Sequence, residues 1–295
     1  MIRLSTMTNL MYQDRADGKG FLNSVKKTRE CGFQVMDFNM CPMQRNETEL
    51  VRDDWKKTVY EIANEAAKLG VTFSQSHLPY SKPVVRRKTP FDDGCEQNEF
   101  FEKMTFRAIE ISKMLGVKWA VVHPVQDIIP TELHSTTDIA YNHFIYDKYV
   151  EAASRGGVGL AFENMCDVDG RRRFGVTGEE LCELIDSYNS EFVKICWDFG
   201  HGNRTFVDQT NQLKLVGKYL RATHVDDNIG KDDLHTFPYL GNVKWEDIMK
   251  TLVQIDYQGD FNFELSVMKK MPFELSDSVV KLAYEIGNYL LSLAK

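Results

Sequence analysis

A single (β/α)8 barrel with a parallel eight-stranded core, occupying residues 1–295 as one domain, is the fold this sequence predicts, on three observations. Eight short apolar runs recur along the chain, each followed by a longer stretch with helical spacing. Glycines precede several of the runs, whereas polar side chains able to do acid–base or metal chemistry end them. The chain of 295 residues, 43% of them hydrophobic, is also long enough to bury one core of that size.

The runs are Ile2 to Thr6, Phe33 to Asn39, Thr72 to His77, Trp119 to His123, Gly159 to Glu163, Val193 to Asp198, Leu220 to Asp226 and Asp260 to Leu265. Between them Trp55, Val59, Ile62, Ala66 and Leu69 form one apolar helical stripe, and Phe101, Met104, Ala108, Ile111 and Leu115 another. Thr177 with Glu180, ahead of Leu181, Leu184 and Ile185, reads as a capping box opening a helix after the fifth run. The last helix is expected to bury Leu275, Val279, Leu282 and Ile286. Gly32, Gly70, Gly116 and Gly259 stand where helices end in left-handed turns before strands, which places them at the bottom of the barrel. Residues 78–98 and 124–138 are the longest loops and are expected to rise over the mouth.

The formal net charge of −7 argues against a broad basic footprint for nucleic acid or an anionic membrane, so small solutes are the expected partners. The opening MIRLSTMTNL lacks the charged start, apolar stretch and cleavage site of a secretory signal, and no run approaches the roughly 18 apolar residues of a membrane span; a cytoplasmic protein is expected. Cys31, Cys41, Cys95, Cys166, Cys182 and Cys196 include no C-x-x-C pair and read as reduced packing residues.

Catalytic groups of such a barrel project from the carboxyl ends of its strands. Six consecutive runs carry, at or within two residues of their ends, His77, His123, Glu163, Asp198, His224 and Glu264. Any one of these, taken singly, is more often a hydrogen-bonded structural residue. Their convergence changes the reading: of seven histidines, His77, His123, His201, His224 and His235 all fall at strand ends or just beyond. Several carboxylates gathered in one mouth repel one another unless a cation neutralises them.

Glu163-Asn164-Met165, Asp198-Phe199-Gly200-His201, His224-Val225-Asp226-Asp227-Asn228, and Asp233-Leu234-His235 running into Pro238, Gly241 and Trp245 follow one another on successive strands. In that order they resemble the xylose isomerase-like TIM barrel superfamily, which contains sugar isomerases and epimerases together with apurinic endonucleases. The resemblance covers nearly the whole chain. It implies that Glu163, Asp198, His224 and Glu264 are the ligands of one divalent cation. Three carboxylates and an imidazole suit manganese first, then magnesium or cobalt, with zinc also accommodated. In the epimerase branch two metal-bound glutamates face opposite sides of the sugar, and Glu163 and Glu264 occupy the matching positions. One would take a proton from the carbon beside a ketose carbonyl to give an enediolate, and the other return a proton to the opposite face. Were one carboxylate to carry the proton between neighbouring carbons, the same groups would interconvert aldose and ketose.

The resemblance also assigns His77, His123, His201, Asp233 and His235 to substrate binding or to additional metal. The endonuclease branch holds three zinc ions with nine side chains, and residues of all nine types are present. A trinuclear zinc phosphodiesterase is therefore the sharpest alternative, beside a metal-dependent sugar-acid dehydratase or lyase and a silent sugar-binding barrel. Against a nucleic-acid substrate, the loop from Cys41 to Asp54 sets Glu47, Glu49, Asp53 and Asp54 against Arg45 and Arg52. The expected ligand is a small sugar or sugar phosphate, and the resemblance implies a homo-oligomer, a dimer or a tetramer.

Lys82, Arg86, Arg87 and Lys88, and Arg171, Arg172 and Arg173, follow the third and fifth runs on the catalytic face. They read first as solvated charge, and second as guanidinium forks for an anionic substrate. Tyr12, Phe38, Tyr80 and Trp119 either wall the pocket or belong to the core.

Overall fold

The computed structural model describes residues 2–11, 20–45, 48–80, 96–125, 136–167 and 172–294. Strands β1 (Arg3–Met7), β2 (Val35–Asn39), β3 (Thr72–His77), β4 (Trp119–Val122), β5 (Gly159–Glu163), β6 (Val193–Asp198), β7 (Leu220–His224) and β8 (Asp260–Phe263) alternate with helices. These are α1 (Gly20–Glu30), α2 (Trp55–Leu69), α3 (Glu96–Met114), α4 (Thr136–Arg155), α5 (Gly178–Tyr188), the short pair α6 (Phe199–Thr205) and α7 (Thr210–Val216), α8 (Trp245–Gln254) and α9 (Ser276–Ser292). Every ladder is parallel, and the sheet runs β7-β6-β5-β4-β3-β2-β1-β8. The remaining seam between β7 and β8 is joined just past the strand ends: the Val225 amide donates to the Asn262 carbonyl at 2.8 Å and the Glu264 amide to Val225 at 3.1 Å. That seam makes a barrel of the sheet and brings Glu264 beside His224.

The helices pack outside because their apolar stripes match the strand faces. Val59, Ile62 and Ala66 of α2, and Met104, Ala108 and Ile111 of α3, are buried, as their spacing predicts. Inside the barrel the residues are small: Val121, Ala161, Cys196 and Ala222 form a separate apolar layer capped by Trp119. Gly159 is required beside that ring, since a Cβ there would lie 2.1 Å from Trp119. The Thr177 to Glu180 capping box is present at the start of α5.

Three expectations shift. Gly32, Gly70 and Gly116 do take positive φ, but Gly259 does not; it is a close-approach glycine whose Cβ would meet the Tyr257 hydroxyl at 2.2 Å. Helix α9 buries Val279, Val280, Ala283 and Leu290, leaving Leu275 and Leu282 exposed, because it seats Gly287 against Leu4 and Phe263. The seventh and eighth strands end earlier than predicted, at His224 and Phe263, where the chain turns into the closing bridge.

Loop residues 81–95 and 126–135, with Tyr12, Glu47, Lys82, Arg86, Arg87, Lys88, Cys95 and Arg171, lie outside the described residues. Among the described residues no helix is long and apolar enough to cross a membrane, and Cys31, Cys41, Cys166, Cys182 and Cys196 are unbonded thiols.

Candidate metal centre

Parallel strands deliver their last residues to one rim. His77 ends β3, Glu163 ends β5, Asp198 ends β6 and His224 ends β7, while His123 and Glu264 stand one residue past β4 and β8. Glu163, Asp198, His224 and Glu264 each offer a ligand atom within 4.8 Å of the others. His224 Nδ1 stands 3.0 Å from both Glu163 Oε1 and Glu264 Oε2, and 3.9 Å from Asp198 Oδ2.

Each side chain is held from behind. Asn164 clamps the Asp198 peptide, accepting from its amide at 2.5 Å and donating to its carbonyl at 2.9 Å. Asp198 caps α6 through Oδ1, which accepts from the His201 amide at 2.6 Å, leaving Oδ2 free. His77 Nδ1 and His201 Nδ1 lie 2.8 Å and 2.9 Å from the carbonyls of Leu78 and Asn164, so each presents Nε2 inward.

Further groups of the required chemistry share the rim, among them His77 with His123 and Glu163, and His201 with Asp233 and His235. His77 Nε2 and His123 Nε2 face each other at 3.1 Å, and stand 3.4 Å and 3.0 Å from Glu163 Oε2. Asp233 Oδ2 lies 3.4 Å from His201 Nε2 and 3.1 Å from His235 Nε2. All nine residues expected at the mouth therefore meet there.

The donor atoms fit a cation on their own chemistry. Asp198 Oδ2 is buried with no hydrogen-bond partner, a costly state for a carboxylate oxygen that coordination would relieve, and Glu163 Oε2 has no aligned donor although His123 Nε2 lies 3.0 Å away. Burial pushes the Glu163 carboxyl up, but the His224 and His123 imidazoles outweigh it and hold it well below its ordinary range. Glu264, likewise opposed by burial, is drawn down to about 2 by His224. Asp198 goes the other way: burial raises it to about 6 despite His201. His201 and His224 are lifted well above the usual imidazole value, their burial overcome by neighbours that include Asp198, Asp233, Glu264 and Glu163. His123 alone is lowered, chiefly by burial.

Sequence reasoning missed the support. Asp37, buried on β2, lies 3.8 Å from His224 Nε2 and is itself held by the Gln75 amide at 2.7 Å. An aspartate alternating inward within the apolar strand VMDFN was the available signal. Cys41 Sγ, 3.2 Å from His77 Nδ1, had no signal in its spacing. Tyr80 stacks on His123 with ring centroids 4.8 Å apart and so lines the mouth, whereas Phe38 is core and Trp119 belongs to the opposite end. Arg172 is a structural residue, paired with Glu180 at 2.5 Å. Arg173 is different: its guanidinium makes no hydrogen bond or ion pair with the described residues, and its charge acts on Glu163, Asp233 and His123.

Several solved structures share this architecture end to end. An L-ribulose 3-epimerase superposes with TM-score 0.76 at 16% identity, over 100% of this chain and 96% of that one. A D-psicose 3-epimerase gives 0.74 at 14% identity over 100% of both chains, and a D-tagatose 3-epimerase-like protein 0.70 at 20% over 98% and 100%. At these identities the likeness shows the fold. An uncharacterized protein of Methanocaldococcus jannaschii is 31% identical over 186 residues, 59% of this chain, and one of Sinorhizobium fredii is 36% identical over 81 residues, 28% of this chain. The chain spans only 62% and 26% of those two relatives. The family described as xylose isomerase-like TIM barrel matches residues 25–281. With eight parallel strands and that match across most of its length, the chain belongs to the xylose isomerase-like TIM barrel family.

Proposed function

We propose that this protein is a metal-dependent isomerase or epimerase of a ketose or ketose phosphate, in which Glu163 and Glu264 exchange protons with the substrate. The observation that carries the reading is the meeting of two glutamates from β5 and just beyond β8 on one imidazole nitrogen, His224 Nδ1, each at 3.0 Å, with Asp198 beside them. A divalent cation held by these four residues supplies Lewis acidity, which stabilises the negative charge of an enediolate and, where further cations adjoin, lowers the pKa of water for hydrolysis. Manganese suits the oxygen-rich set best.

Glu163 and Glu264 reach the centre from different strands, and in the proposed reaction one carboxylate takes the proton from one face of a bound sugar while the other returns a proton to the opposite face. Their depressed pKa values keep both ionised at neutral pH, as a proton acceptor requires. Tyr80 and His123 offer a stacked wall for the sugar. The Arg173 guanidinium, without an ion pair among the described residues, favours a substrate bearing an anionic group. The 3-epimerases named among the similar solved structures act on ketoses, which agrees with this substrate class.

The test is solvent deuterium incorporation into a panel of ketoses and ketose phosphates with manganese present. Exchange at a carbon next to the carbonyl, lost in Glu163→Gln and Glu264→Gln, is the expected result. No exchange with any of them would remove the reading.

A second reading has its own observation. Glu163 belongs to two donor groups at once, and the His201, Asp233 and His235 group completes a nine-residue set able to hold three ions. That arrangement supports a phosphodiesterase. Hydrolysis of DNA carrying an abasic site, with three zinc ions per chain, would favour it over the epimerase.

A further inference from the structure

At the amino ends of the strands a cavity of about 360 Å³ is lined by Arg3, Ser74, Lys118, Trp119, Arg221 and Asp260, among others. Two bulges build it. Along β3 the ladder pairs Met36 with Phe73 and then Asp37 with Gln75, passing over Ser74; along β7 it pairs Ile195 with Leu220 and then Cys196 with Ala222, passing over Arg221. Phe73 and Leu220 belong to the main core under the helices, whereas Ala222 belongs to the layer inside the barrel. The extra residue in each strand therefore follows an outward one and turns inward, as bulges at barrel rims commonly arrange. Ser74 donates to Asp260, and Arg221 lines the cavity.

In a chain of net charge −7, this hollow is positive. Its charged lining is Arg3, Lys118 and Arg221 against Asp256 and Asp260. Arg3 is occupied by Asp260, with Nε 2.9 Å and Nη2 2.8 Å from Oδ1, which leaves Lys118 and Arg221 against Asp256 alone. The Arg221 guanidinium donates from Nη1 to the Leu220 carbonyl at 2.8 Å and makes no ion pair among the described residues. Its Nε–Nη2 edge is open. Two parallel N–H groups at that spacing match two oxygens of a phosphate, and a guanidinium, weakly hydrated, gives up water for such a partner more readily than an ammonium does. Lys118 adds an exposed positive charge at the rim, and the half-buried Trp119 ring offers an apolar wall. The volume lies near the small end of ligand pockets, about 300–1,000 Å³, which suits a molecule the size of a sugar phosphate and not a dinucleotide.

We propose that the amino-end cavity is a second ligand site, which holds the phosphate of a small phosphate monoester on Arg221, with Lys118 beside it and Trp119 against the rest of the molecule. The site lies at the far end of the barrel from Glu163, Asp198, His224 and Glu264. Nothing in it depends on the chemistry proposed for the mouth.

Titration of the full chain with glucose 6-phosphate and with inorganic phosphate, followed by calorimetry and tryptophan fluorescence, tests the site. Glucose 6-phosphate is expected to bind and to change an emission that is absent from Trp119→Phe, inorganic phosphate to compete with it, and glucose to do neither. Arg221→Gln should weaken binding on the order of 10- to 100-fold and Lys118→Gln by a few-fold, whereas Glu264→Gln, at the mouth, should leave it unchanged. Arg221→Lys, which keeps the charge but removes the fork, should fall between wild type and Arg221→Gln, and it carries the test if urea unfolding shows that Arg221→Gln does not fold. Failure of glucose 6-phosphate to bind at millimolar concentration overturns the proposal, whatever inorganic phosphate does. So does binding that Glu264→Gln weakens and the Arg221 variants spare, since the anion then sits at the mouth.

Discussion

At the amino ends of the strands Asp260, largely buried, is matched: Arg3 lies 2.8 Å away, Ser74 donates to it, and the Thr223 and Tyr257 hydroxyls take its carbonyl at 2.6 Å and 2.9 Å. At the carboxyl ends Glu163, Asp198 and Asp226 are as deeply buried, yet each keeps at least one oxygen without a partner. The same barrel thus satisfies its buried carboxylate at one end and leaves its buried carboxylates open at the other. Buried polar groups are normally paired, so unpaired carboxylates gathered at the mouth, with Asp37 just beneath it, mark the end where something else is meant to bind.

The largest effect that tests this contrast is catalytic. Glu163→Gln or Glu264→Gln should lower proton exchange by about 10²- to 10⁴-fold while the circular dichroism spectrum stays that of the wild type. Full activity in either would refute the assigned roles. Next comes stability: removing the cation with a chelator should cost the protein roughly 3 kcal/mol relative to metal at 100-fold excess over Kd, read as a fall in Tm. If Tm does not move, the open carboxylates have some other purpose.

Proton linkage sharpens the same point. His201 and His224 are raised above their ordinary value, so both carry protons near neutrality that a cation must displace. Affinity should therefore rise with pH above about 6.5, and calorimetry in buffers of different ionisation enthalpy should show proton release. In the metal-free chain the sign is reversed: the stability these histidines contribute is fully present below about 6.5 and is lost as pH rises through their folded values.

The barrel and its rim were legible in the sequence because period-2 and helical patterns alternate, and six consecutive strands end in, or one residue short of, a residue too polar for core. Glu163, Asp198, His224 and Glu264 could be picked out one strand at a time. Asp226 could not be given a role, because what separates it from Asp227 is whether a donor from distant chain arrives, and Trp245 and Val243 reach Asp227 only after the loop following β7 closes. The buried face of α9 escaped for a related reason: Gly287 carries no apolar signal, yet its missing side chain is what lets Leu4 and Phe263 approach.

At the bottom of the barrel the expected effects are smaller and structural. Gly159→Ala forces a Cβ to within 2.1 Å of Trp119 and should cost about 1–3 kcal/mol in urea unfolding with exchange activity per folded molecule unchanged. Asp260→Asn should cost less, about 1 kcal/mol, since its partner Arg3 is half exposed and well screened. Loss of metal affinity in either variant would mean that the two ends are not independent.

Glu163, Asp198, His224 and Glu264 are proposed to share one cation. Anomalous diffraction at the manganese edge from crystals grown with Mn²⁺ tests it directly. A peak at the barrel mouth with these four side chains at about 2.0–2.3 Å is the expected result. A mouth without a peak at saturating manganese, or a peak that leaves His224 and Glu264 unliganded, would contradict it.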